Sequence, residues 1–167
     1  MNNDFVKRLL LFLGLLLVQV LVLNHVHLFG YGTPLLYIYF TISFRRGYPK
    51  WGVLVWSFLL GLCIDMFSNT PGVAAASMTL AGLLQPYVLE LFMQRDNEDD
   101  ILPCFRTLGP AKYVGYASIL TVVYCLSFFT VETFTFFNWP QWLMSVGASA
   151  VLTLLLVLVM DNLRRNL

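Results

Sequence analysis

The chain has 167 residues, 59% of them hydrophobic and 11% charged, with a net charge of +1. Water-soluble domains carry about 25% charged residues, so this chain lacks the polar side chains to coat a globule in water. Its near-neutral balance offers no field to gather nucleic acid or an acidic substrate. Residues 1–167 read as a single integral membrane domain.

A membrane span needs about 20 mostly apolar residues. The first expected span, 9–28, follows Lys7 and Arg8. No small-residue cleavage site comes after it, since Asn24, His25, Val26 and His27 follow, so it reads as an uncleaved span and not a signal peptide. His25 and His27 stand two residues apart. On a helix they point away from each other, which suits interfacial histidines better than metal ligands. The second span, 29–44, is entered through Gly30, Gly32 and Pro34. Its apolar part is short, so a tilted, irregular or partly re-entrant segment is expected.

The third span is 51–68 and the fourth 72–93. Pro86 interrupts the fourth and removes a backbone bond to Gly82, so a kink is expected, with Gln85 placed to satisfy the freed carbonyl. A polar loop, 94–111, then carries Asp96, Glu98, Asp99 and Asp100 and ends at Gly109 and Pro110. It does not fit a calcium loop, because Ile101 stands where glycine is required. It reads as a solvated loop or a docking segment. The fifth span is 112–131 and the sixth 141–160.

The ten Lys and Arg residues fall in alternate connections. Lys7 and Arg8 precede span one. Arg45, Arg46 and Lys50 lie between spans two and three, and Arg95, Arg106 and Lys112 between spans four and five. Arg164 and Arg165 follow span six. The other three connections, about 24–33, 68–71 and 132–140, have none. Six spans therefore place every basic residue on one side, which the positive-inside rule makes the cytoplasm, with both termini there. Aromatic residues fit as interfacial anchors: Trp51, Tyr113 and Tyr116 at inner ends, and Tyr31, Trp139 and Trp142 at outer ends.

Asp65, near the outer end of span three, carries the greatest chemical weight. A carboxylate at mid-membrane costs roughly 2.5–3.5 kcal/mol on insertion scales. Two readings stand: a buried polar contact to another span or a partner, or an interfacial cap on the turn Ser68, Asn69, Thr70, Pro71. Small residues gather in span four, including Ser77 and Ala81, and in span six, including Ser145 and Ser149. Each pair stands one helical turn apart, the spacing that lets backbones approach. Packing within the molecule and a partner-binding groove are both open. Glu90 and Asp161 near inner ends, and Glu132 outside, are placed to reach water.

Enzyme signatures such as HExxH, GxSxG and a phosphate-cradling glycine loop do not occur, and a non-enzyme is expected. The three cysteines, Cys63, Cys104 and Cys125, have no CxxC spacing, which argues against a disulfide framework or zinc site. No cofactor and no nucleic-acid partner is expected.

The segment containing Gly61, Leu62, Asp65, Ser68, Pro71 and Gly72 resembles a region of MreD, the rod shape-determining membrane protein family. Pro34, Leu35, Leu36 and Tyr37 in a short second span, the basic turn Arg45 and Arg46, and Gly52 at the opening of span three are similar too. Val73, Ala74 and Ala75 depart from the family's usual run after the turn. The resemblance covers about 9–85, and the remainder by topology. It implies a non-enzymatic scaffold of the bacterial cell-elongation complex in the cytoplasmic membrane. By the same resemblance the partner is an MreC-type protein, with indirect links to MreB filaments, the elongation transpeptidase and RodA. It also implies an all-α bundle of six spans similar to substrate-binding subunits of energy-coupling-factor transporters, so a vitamin-type transport subunit is the alternative. Those subunits dock through an alanine motif in span one, whereas the first alanine here is Ala74. Basic inner turns, Arg45, Arg46 and Lys50, are expected to orient the bundle and meet anionic lipid.

Overall fold

The computed structural model describes residues 2–22, 33–93, 102–133 and 139–166, apart from the side chains of residues 2–4, 105 and 164–166. His25, His27, Tyr31, Arg95 and the acidic run 96–100 lie outside the described residues. So do the junction of the first two expected spans, the connection 134–138 and the side chains of Arg164 and Arg165.

The described chain is all helical: α1 (Asn2–Leu21), α2 (Ile38–Ile42), α3 (Lys50–Ser68), α4 (Val73–Phe92), α5 (Phe105–Leu108), α6 (Pro110–Thr133) and α7 (Trp139–Asn166). Among the described residues, three stretches are long and apolar enough to cross a membrane: Lys50–Ser68, Pro110–Thr133 and Trp139–Leu163. α4 is as long as a span, but Ser77, Thr79, Gln85, Pro86 and Glu90 dilute its apolar character. It runs through Pro86 as one helix.

α3 packs most extensively on α4, α4 next on α6, and α6 on α7, while α1 lies against α3. The small-residue face of α4 thus has α3 and α6 as its main neighbours, not the sixth span. The outward faces of α1, α3 and α7 remain apolar, with Leu10, Leu13 and Leu17, Phe58 and Met66, and Leu143, Val151 and Leu155 exposed. For helices in lipid this is the expected outer surface, because hydrocarbon is as apolar as leucine.

The second expected span takes a different form from its neighbours. Its described part begins without regular secondary structure at residues 33–35 and turns into the five residues of α2. All of Leu35, Leu36, Tyr37, Ile38, Tyr39, Phe40, Ile42 and Phe44 are buried. This segment forms the centre of the molecule, with α1, α3, α4 and α6 around it. A chain that is not regularly helical survives at membrane depth only where protein encloses it.

Contacts at one end of the bundle bring several helix ends together. Arg8 of α1 lies over the rings of Phe44 and Tyr48, at 4.9 and 3.9 Å from their centroids. Lys50 at the start of α3 lies 4.5 Å from the Tyr87 ring of α4. Phe92 of α4 packs on Gly115 of α6. Lys7, Arg8, Arg45 and Lys50 therefore share one end. Trp51 is exposed there, but Tyr113 and Tyr116 are wholly buried, as is Asp161. The expectation that these three face an interface is corrected: they point between helices, where Tyr116 has backbone to hold.

Candidate functional site

The α3–α4 hairpin is built around Asp65. α3 ends at Asn69, in the left-handed region at φ 57°, a conformation asparagine tolerates. The amides of Asn69 and Thr70 return to the Asp65 carbonyl, the latter at 3.3 Å. Pro71 and Gly72 complete the turn, and Gly72 sits at φ 85°, where a side chain would be strained.

Gly72 occupies the N-cap position of α4 and has no side chain to accept from the free amides of the first turn. Asp65 supplies the missing acceptor. Its Oδ1 accepts from the Ala74 amide at 2.9 Å and from Thr70 Oγ1 at 2.9 Å, and its Oδ2 accepts from the Ala75 amide at 2.8 Å. Asp65 is 6% exposed. A carboxylate at a helix N-terminus also gains from the helix dipole, by up to ~2 kcal/mol when partly buried. The two expectations for Asp65 merge here: it is a buried contact to another helix, and it also holds the turn.

Gly61 makes this reach possible. It lies one turn before Asp65 on the same face of α3. A Cβ at Gly61 would fall 2.6 Å from Ala75 Cα, 2.7 Å from Ala74 O and 2.8 Å from Ala75 N. These are backbone atoms and do not swing aside. Gly61, Asp65, Pro71 and Gly72 thus form one clip that joins two helices.

A second polar assembly holds the entry to α2. Pro34 has no amide, so residues 33–36 present three backbone donors, and each goes to a side chain. The Thr33 amide donates to Ser149 Oγ at 3.1 Å, the Leu35 amide to Thr153 Oγ1 at 3.1 Å, and the Leu36 amide to Gln19 Oε1 at 3.1 Å. Gln19 Nε2 donates to the Pro34 carbonyl at 3.0 Å. Ser149 is therefore a backbone partner and not merely a small packing residue, while Ser145, one turn earlier, is half-buried.

The exit from α2 is held likewise. Tyr116 Oη donates to the Ile42 carbonyl at 3.2 Å. Gln85 Nε2 donates to the Phe44 carbonyl at 3.3 Å and to Tyr116 Oη at 3.0 Å. The expectation that Gln85 serves the Gly82 carbonyl is corrected. Its side chain reaches across to the Phe44 carbonyl just past α2, where the helix has ended and leaves terminal carbonyls to other partners. Along the middle, Tyr37 and Tyr124 share a hydroxyl–hydroxyl hydrogen bond, and Thr41 Oγ1 meets Ser57 Oγ at 3.0 Å.

In span four, Ser77 and Ala81 are buried, and Ser77 Oγ donates to its own helix at Val73 O, 2.8 Å away. Cys63, Cys104 and Cys125 are free thiols. Arg45 and Arg46 are half-buried, and Lys50 is exposed. Gln19, Thr153 and Tyr116 were not singled out by motif reasoning as site residues. The usable signal was isolation: Gln19 is the lone hydrogen-bonding side chain between Leu9 and Leu23, and Thr153 the lone one between Val151 and Met160. The chain matches no family model, no curated protein and no solved structure.

Proposed function

We propose that this chain is a non-enzymatic scaffold of the bacterial cell-elongation complex, a multi-pass protein of the cytoplasmic membrane that associates with an MreC-type partner. In this reading the chain crosses the bilayer six times, with the end carrying Lys7, Arg8, Arg45 and Lys50 in the cytoplasm. The stretch 29–44 counts as an irregular crossing, whose described part, 33–44, is enclosed by the other helices. Through the partner, the scaffold connects MreB filaments with the elongation transpeptidase and RodA, and so supports cell shape and lateral peptidoglycan synthesis.

One observation carries the reading. The residues that resemble the MreD family, Gly61, Asp65, Pro71 and Gly72, are the parts of a single clip. A matching set of residues in one physical device is a stronger signal than a string of letters. A second observation agrees with it. Gln19, Asp65, Gln85, Tyr116, Ser149 and Thr153 all bond to this chain's own backbone. Buried polar groups used in this way rigidify a bundle. A rigid bundle suits recognition through its outer helix faces, where packing and a few polar contacts drive association in lipid.

Depletion in a rod-shaped bacterium tests this. Cells should round up, and a tagged copy should co-purify with the MreC-type protein. Retention of rod shape together with failure to co-purify contradicts the proposal. A rise in melting temperature with one member of a vitamin panel would favour the transport-subunit reading instead.

A further inference from the structure

The basic end of the bundle contains a small, partly open cavity that neither the hairpin clip nor the α2 cradle uses. Its volume is about 70 Å³, and Lys7, Arg8 and Arg45 line it together with Leu11, Phe40, Ser43, Phe44 and Leu102. Three cationic side chains from two separate segments thus surround one space whose remaining walls are mainly apolar. That space holds more than one water, which needs ~10–15 Å³ on the same measure, and it suits a compact anion. It is far too small for an acyl chain.

Arg8 is pre-positioned. Its guanidinium stands over the Phe44 and Tyr48 rings at 4.9 and 3.9 Å, so little side-chain freedom remains to be lost on binding. Guanidinium groups bind phosphate oxygens through paired N–H donors, and Lys7 adds a point charge. The apolar wall of Leu11 continues along the same face of α1 to Val18 and Val22, seven and eleven residues further on, both of which are exposed. An anion held here has a hydrocarbon surface beside it.

We infer that Lys7, Arg8 and Arg45 form a binding site for a phosphate-type anion, the phosphodiester of an anionic lipid whose acyl chains run along α1. This goes beyond the scaffold assignment and does not require the MreC-type partner.

The test is native mass spectrometry of the full chain in detergent. It is titrated with phosphatidylglycerol or phosphatidylcholine, with and without millimolar inorganic phosphate. Phosphatidylglycerol should bind preferentially, and the double variant Lys7→Gln, Arg45→Gln should weaken it by about fivefold per cation removed. Lys112→Gln removes one charge from an exposed residue that does not line the cavity, and it should leave binding unchanged. Competition separates the sources: phosphatidylglycerol that resists phosphate marks a lipid site, and phosphatidylglycerol displaced by phosphate marks a free-anion site and overturns the lipid assignment. The same loss per charge removed in the double variant and in Lys112→Gln means a diffuse field and overturns the site, as does equal binding of the two lipids. Variant folding is checked by circular dichroism. The melting temperature gives a second readout, since phosphatidylglycerol should raise it for the parent chain and not for the double variant.

Discussion

Asp65 acts from one helix upon the first turn of the next. Replacing it with leucine removes the acceptor for the Ala74 and Ala75 amides, and an orphaned buried donor costs about 1–3 kcal/mol. Asp65→Leu should therefore lower stability by roughly 2–5 kcal/mol. Asp65→Asn keeps one oxygen but turns an amino group toward an amide, so its loss should be intermediate. Thermal unfolding in detergent, read by the surviving monodisperse fraction, orders the variants. Equal melting temperatures for all three proteins would show that the carboxylate is an idle interfacial group. Gly61→Ala meets backbone at 2.6 Å and should cost about 1–3 kcal/mol by forcing α3 and α4 apart. A parent-like melting temperature for this variant would contradict the close approach.

At the scale of elements, the unusual part is the segment of residues 33–44. The amides at its entry, of Thr33, Leu35 and Leu36, are satisfied by Gln19 from α1 and by Ser149 and Thr153 from α7. Gln19→Leu leaves the Pro34 carbonyl and the Leu36 amide without that partner. The segment should then open more often, and hydrogen–deuterium exchange in nanodiscs should speed up at Leu36 while α6 is unaffected. Unchanged exchange at Leu36 would mean the cradle does not hold the segment.

The long helices were legible in the sequence because uninterrupted apolar runs leave few alternatives: α3 and α6 begin and end within two residues of the expected bounds. The short α2 was legible only as an irregularity, through Gly30, Gly32 and Pro34. Its partners were not, since they are more than 100 residues away in the case of Ser149 and Thr153. Gln85 was misread for a related reason. Local reasoning assigned it the Gly82 carbonyl that Pro86 frees, whereas the fold brings the end of α2 within its reach. Asp65 was easier to read, because both its turn and the helix it caps follow within ten residues.

For the whole molecule, the claim on which the rest depends is the arrangement of the chain across the bilayer. Charge placement suggested it, and the contacts of Arg8, Lys50 and Phe92 gather the corresponding helix ends at one end of the bundle. The opposite end carries the turn at 69–72 and the end of α6 at Thr133. The most direct test uses cysteine labelling with a membrane-impermeant maleimide on intact spheroplasts. In a Cys63→Ser, Cys125→Ser background, native Cys104 should label only after the membrane is permeabilised. With Cys104 also changed to serine, a Thr133→Cys variant should label in intact spheroplasts. Labelling of both positions from the same side would contradict the six-span arrangement, and with it the placement of the basic end in the cytoplasm.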